Sequence, residues 1–157
     1  MPTIFLETEI NAPIERCFDL SRSIDLHQNS TSGTNERAIA GVTSGLIGIN
    51  ETVTWRAKHF GINQNLTSKI TELNFPNYFT DVMVKGAFRK IEHLHSFEAS
   101  GNKTIMKDRF EFEAPLGFIG RFAEKIFLTS YLKRFLVSRN QFIKETAESG
   151  NWKNFLP

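Results

Sequence analysis

Five ionisable side chains, His59, Asp81, His93, His95 and Asp108, sit in runs where every second residue is apolar or aromatic. The runs are Trp55-Arg-Ala57-Lys-His59, Phe79-Thr-Asp81-Val-Met83, Ile91-Glu-His93-Leu-His95-Ser-Phe97 and Met106-Lys-Asp108-Arg-Phe110-Glu-Phe112. Alternation of period two puts the named members of each run on one face of a strand. Carboxylates beside an imidazole favour its charged form and burial disfavours it, so such a set can hold a proton near neutral pH. His93, His95 and Asp108 are therefore the candidate acid-base residues. The wider inward set, the candidate ligand-binding residues, is Trp55, His59, Phe79, Asp81, Met83, His93, His95, Phe97, Met106, Asp108 and Phe110, with Arg139 from a later helix.

Turn positions fix how these residues meet. If Ser100-Gly-Asn102 turns a hairpin, Asp108 lies across from His93 or His95, and a turn at Gly86 to Arg89 brings Asp81 opposite the same histidines. The expectation is a row of Asp81, two histidines and Asp108 over three adjacent strands. Such a row can satisfy its own hydrogen bonds, recognise a ligand or move a proton, and the sequence leaves these open. His93-x-His95 with an aspartate opposite has some metal-ligand character, but spacing alone is weak and no metal or other cofactor is expected. Arg139 interrupts an apolar helical stripe and either snorkels to the rim or turns inward toward Asp81, Asp108 or an anion. No Gly-x-Ser-x-Gly elbow is present, and Asp81 and Asp108, two strand spacings or roughly 10 Å apart, are too distant for a glycosidase pair.

The elements that must position these residues follow from pattern. Residues 3 to 10 alternate as a strand, closed by Asn11-Ala-Pro13. Ile14, Cys17 and Phe18 share a helical face, and Ser21-Arg-Ser23 can cap a second short helix through Leu26. From Glu36 to Phe112 glycine and asparagine punctuate about six strands of a meander, with Gly45-Leu-Ile-Gly48 a turn rather than a phosphate loop. Gly117 to Glu148 is helical, and Leu128, Tyr131, Leu132, Phe135, Leu136, Arg139, Phe142 and Ile143 form the core-facing stripe. Ile119, Phe122, Ala123, Ile126 and Phe127 form a second stripe on roughly the opposite side, which predicts a break near Thr129.

Composition supplies the frame. One domain over 1–157 is expected, able to bury roughly 70% of its unfolded surface. Cys17 is the single cysteine and residues 1 to 6 lack a signal-peptide pattern, so a reducing cytoplasm is the expected location. Nineteen basic and seventeen acidic residues leave a net charge of +2 without a basic cluster, which argues against nucleic acid as partner. No apolar run approaches the roughly 20 residues of a membrane span. Fifteen phenylalanines against two tyrosines and two tryptophans suit a large apolar interior or a cavity.

With a meander, two short helices after the first strand and a long C-terminal helix, the chain resembles the START-like superfamily, also called polyketide-cyclase-like or SRPBCC. The resemblance rests on Trp55-Arg-Ala57-Lys-His59, Phe79-Thr-Asp81 with Gly86-Ala-Phe88, His93-Leu-His95-Ser-Phe97, Asp108-Arg-Phe110, and Pro115-Leu-Gly117 with Gly120. Within it, the chain is most similar to small bacterial members that stand alone or are fused to sugar-nucleotide-epimerase-like proteins. The resemblance implies an α+β helix-grip fold, a curved antiparallel sheet of about seven strands around the C-terminal helix. It also implies a cavity for a small hydrophobic partner, aromatic, polyketide- or isoprenoid-like. Gly117 and Gly120 would hinge a movable wall from Gly117 to Leu128. Two other readings are an enzyme of cyclase, dehydratase or isomerase type using His93, His95 and Asp108, and a protein-interaction module.

Overall fold

The computed structural model describes residues 2–31, 33–59, 61–114 and 127–157. In chain order the elements are strand β1 (Thr3–Ile10), helices α1 (Ile14–Ser21) and α2 (Ile24–Ser30), and strands β2 (Arg37–Gly41), β3 (Thr52–His59), β4 (Ile62–Asn74), β5 (Tyr78–Lys85), β6 (Lys90–Ser100) and β7 (Lys103–Glu113). Helix α3 (Thr129–Glu148) and a 3-10 turn (Gly150–Asn154) follow. The strands form one antiparallel sheet of seven in the order β1-β7-β6-β5-β4-β3-β2, so the meander closes back on the first strand. This is the helix-grip α+β architecture.

Local chemistry explains the element ends. Pro13, extended at φ −62 and ψ 149, precedes the first turn of α1, where a missing N–H costs nothing. Ser23 caps α2 by accepting the Leu26 amide at 3.2 Å, and α2 runs beyond Leu26 to Ser30. Gly101, at φ +60, permits the tight β6–β7 turn, and from Ser100↔Lys103 the ladder keeps one register to Lys90↔Glu113. In β4 the register shifts between Thr67 and Ser68 and again between Ile70 and Glu72; such irregularities bend a strand and help the sheet curl. The loop of Gly45 to Gly48 is braced on α2, with Asp25 accepting the Gly45 amide and Gly45 accepting the amide of Ile24, both at 2.9 Å.

Two clusters fill the interior. Under α1, Phe18 meets Phe75, Phe79 and Phe97 at ring separations of 5.1, 5.3 and 5.4 Å, each pair worth about 1 kcal/mol beyond its buried area. At the other end Ile4, Ile91, Phe110, Phe112 and Leu136 pack together. Helix α3 lies over the sheet with Leu136, Arg139, Asn140, Ile143, Thr146 and Ala147 buried. Of the second stripe, Ile119, Phe122, Ala123 and Ile126 lie outside the described residues, as do the proposed hinges Gly117 and Gly120, and its last member, Phe127, is exposed. No helix among the described residues is long and apolar enough to cross a membrane.

Candidate functional site

Between the inner face of the sheet and α3 lies a cavity of about 380 Å³. Its sheet wall carries Trp55, Ala57 and His59 from β3, Leu66, Ser68 and Ile70 from β4, Phe79 and Asp81 from β5, His93 and His95 from β6, and Phe110 from β7. Its helical wall carries Tyr131, Leu132, Phe135, Leu136 and Arg139. The period-two pattern of each strand and the i, i+3, i+4 stripe of α3 therefore converge on one space.

The structure places Asp81, His93, His95 and Asp108 as a row across β5, β6 and β7. His95 Nε2 lies 2.6 Å from Asp81 Oδ2, and His93 Nε2 lies 2.7 Å from Asp108 Oδ1. An ionised carboxylate can only accept, so both imidazoles donate from Nε2. Ser68 donates to the other oxygen of Asp81 at 3.2 Å, and Asn140 donates to the other oxygen of Asp108 at 2.6 Å. The two imidazoles stack with ring centres 3.6 Å apart, and Phe79 covers the outer face of His95 at 4.2 Å.

Arg139 turns inward. Its guanidinium donates to Ser21 O at 3.2 Å and to Asn140 Oδ1 at 2.9 Å, and stands 3.8 Å from Asp108 Oδ1. Burial works against ionisation of Asp81, but the hydrogen bond from His95 and the charges of His95, His93 and Arg139 outweigh it and hold this carboxyl down at about 2. Asp108 is displaced the same way, and further, with burial overcome by His93, Arg139 and His95. Burial, reinforced by the charge of His93 alongside, holds His95 down at about 4, against the pull of Asp81. His95 is thus neutral at pH 7, its proton on Nε2, and its buried Nδ1 has no hydrogen-bond partner among the described residues, with Asp108 Oδ1 3.6 Å away.

Three expected wall residues are elsewhere. Phe97 and Met106 are buried under α1, against Phe18 and against the Ser21 hydroxyl, which lies 3.4 Å from the Met106 sulfur. The short helices cover that end of the inner face, so the alternation identified buried positions there rather than cavity positions. Met83 packs with the Phe110 and Phe112 cluster under the turn at Gly86, where a Cβ would approach its sulfur to 2.8 Å. Asp108 is on the inner face but beneath Asn140, its side chain fully buried, so it supports the wall from behind.

Five polar residues that complete the arrangement are absent from the sequence-based set: Ser68, Asn140, His27, Glu36 and Tyr131. Asn140 lies four residues after Leu136 and three before Ile143, so its helical phase was readable although its type suggested solvent. His27 packs against Trp55 with ring centres 4.3 Å apart and the planes tilted by 40°, and bonds Glu36 Oε1 at 3.0 Å. His59 leaves the histidine row altogether, since its Nδ1 meets the Tyr131 hydroxyl at 2.6 Å. Burial pushes His59 down and Tyr131 up, and the charge of Glu36 raises both.

Asp81, His93 and His95 each offer a ligand atom within 4.8 Å of the others, a spacing a metal ion can use. Both Nε2 atoms are already engaged with carboxylates, so coordination at Nε2 would require breaking the His95–Asp81 or His93–Asp108 bond.

No protein-family model matches this chain, and no curated protein sequence does. Solved structures do match. TTHA0849 from Thermus thermophilus superposes with a TM-score of 0.76 over 93% of this chain and 97% of its own, at 17% identity. A START superfamily protein from Mycobacterium smegmatis gives 0.69 over 92% and 97%, at 12% identity. The ginseng major latex-like protein 151 from Panax ginseng gives 0.69 over 94% and 98%, at 17% identity. At such identities the likeness is one of fold.

Proposed function

We propose that this chain is a single-domain START-like protein, of the small bacterial stand-alone kind, that binds a small hydrophobic molecule in the cavity between its sheet and α3. The observation that carries this reading is the cavity itself: about 380 Å³, walled by aromatic and aliphatic side chains, with Asp81 at its polar end keeping 22% of its side-chain surface accessible. The fold shared with a START superfamily protein and a major latex-like protein supports it. A ligand hydroxyl or amine would donate to Asp81, while Phe79, Phe110 and Trp55 hold the apolar body.

The acid-base properties of Asp81 and His95 suit recognition better than general-base catalysis. A general base works best with a pKa near the operating pH, whereas Asp81 at about 2 and His95 at about 4 are weak bases there. Their mutual hydrogen bonds fix orientation, which recognition needs. The test is native mass spectrometry of the purified protein, followed by denaturing extraction and uptake of N-phenyl-1-naphthylamine by the emptied protein. One equivalent of an apolar molecule released, or one equivalent of probe taken up, is expected. A protein that releases nothing and takes up no probe contradicts the reading.

A further inference from the structure

The cavity has a second polar end, away from the histidine row, where Glu36 stands between His27, His59 and Tyr131. Glu36 immediately precedes β2, and its side chain is only 10% exposed. Oε1 accepts from His27 Nε2 at 3.0 Å, and the ring of His27 is held in place by its tilted contact with Trp55. Oε2 is fully buried and has no hydrogen-bond partner among the described residues. The nearest polar groups have bonds of their own: His59 Nδ1 and Tyr131 Oη bond one another at 2.6 Å, and Arg22, also on the cavity wall, pairs with Asp19 at 2.9 Å and donates to Ile47 O at 3.1 Å. Among the described residues, His27 is the single ion-pair partner of this carboxylate.

A buried carboxylate oxygen without a donor carries the full cost of its lost hydration. Native proteins leave few such atoms, and Glu36 lines the cavity, so a small rotation of its carboxylate would bring this oxygen to a donor there. We propose that Glu36 Oε2 is a second anchoring point for the cavity's ligand, and that this ligand carries a hydrogen-bond-donating head, a hydroxyl or an amine, on an apolar body. The inference rests on the binding reading and narrows it. A carboxylate accepts and cannot donate, so an ether or ketone head would leave Oε2 unpaired, and an anionic head would add repulsion. An amine would also neutralise a carboxylate whose one ion-pair partner among the described residues is His27.

Four probes sharing one bicyclic body separate these cases: 2-naphthol, 2-naphthylmethylamine, 2-methoxynaphthalene and 2-naphthoate. Calorimetric titration of the wild-type protein should show 2-naphthol or 2-naphthylmethylamine binding at least tenfold more tightly than 2-methoxynaphthalene, with 2-naphthoate weakest. In Glu36→Gln and Glu36→Leu that advantage should fall at least threefold, any remainder being due to Asp81, with 2-methoxynaphthalene unchanged or tighter. Thermal melts of both variants establish that they fold, and either folded variant suffices. The amine outranking the alcohol assigns the ligand a positive charge; the reverse order assigns it a hydroxyl. A protein that takes up N-phenyl-1-naphthylamine yet shows no preference for the two donor-bearing probes, or keeps that preference in the variants, overturns the inference and leaves the binding reading standing. Failure to bind all five compounds overturns both.

Discussion

Asp81 faces His93 across the β5–β6 ladder but hydrogen-bonds His95, its Oδ2 2.6 Å from Nε2. Asp108 does the converse, facing His95 across the β6–β7 ladder and bonding His93. Each aspartate therefore reaches diagonally, a contact that longer side chains make on one face of a sheet. The crossing draws the two imidazoles into a stack and gives each one ionised partner. Asn140, Ser68 and Arg139 then occupy the remaining sides of the carboxylates.

Acid should weaken the fold in two stages. His95 has a folded value of about 4 against 6.5 for an ordinary histidine, so between these the unfolded chain binds more protons. Its contribution to stability is intact above pH 6.5 and is lost as pH falls from there through 4. Asp81, lowered from 3.8 to about 2, and Asp108 add a further loss below pH 3.8. Denaturant midpoints at closely spaced pH values should therefore fall between pH 6.5 and 4. His95→Gln, which can still donate to Asp81, should flatten that slope, leaving the smaller part due to His59. Equal slopes in the two proteins would assign the acid sensitivity elsewhere.

Asp108→Asn should destabilise the fold by about 3 kcal/mol, because it leaves buried Arg139 without its carboxylate and turns an amide NH2 toward either His93 Nε2–H or the Asn140 amide, both of them donors. Asn140→Ala should cost about 1 to 2 kcal/mol, the loss of a buried hydrogen bond to a charged group. The two changes touch one carboxylate, so the double variant should cost less than the sum, measured by urea unfolding.

Cys17 is wholly buried in the core under α1, and burial pushes its thiol up. A thiol reagent such as 5,5′-dithiobis-(2-nitrobenzoate) should react with the folded protein only at the rate of its opening, and at once in denaturant. Rapid labelling of the native protein would mean that the α1 face opens readily.

The row across β5, β6 and β7 was legible because two features coincide: period-two alternation sets the face, and the turns at Gly86 and Gly101 set the register. Seven strands, two short helices and the stripe of α3 followed from the same patterns. Phe97 and Met106 show the limit. Alternation marks the inner face of a sheet, but whether an inner residue meets a cavity or a helix depends on where α1 lands, which is a tertiary fact. Glu36 and His27 lie outside the patterned runs, at the start of β2 and on a seven-residue helix, and only folding brings them together beside Trp55. Arg139 had two open destinies, rim or interior. Asp108 and Ser21 O supply the inward partners that a sequence pattern could not weigh.

The central claim is that a small apolar molecule occupies the space between sheet and α3, against Trp55. Trp152, the other tryptophan, lies outside that cavity, under the guanidinium of Arg16, and can be replaced by phenylalanine. In Trp152→Phe the remaining indole reports on the cavity wall. Titration with N-phenyl-1-naphthylamine should quench Trp55 fluorescence saturably at one equivalent of probe. Adding Ala57→Phe, which fills part of the space beside Trp55, should weaken that response at least tenfold in a protein that still melts cooperatively. Quenching that never saturates, or that is indifferent to Ala57→Phe, would contradict the account.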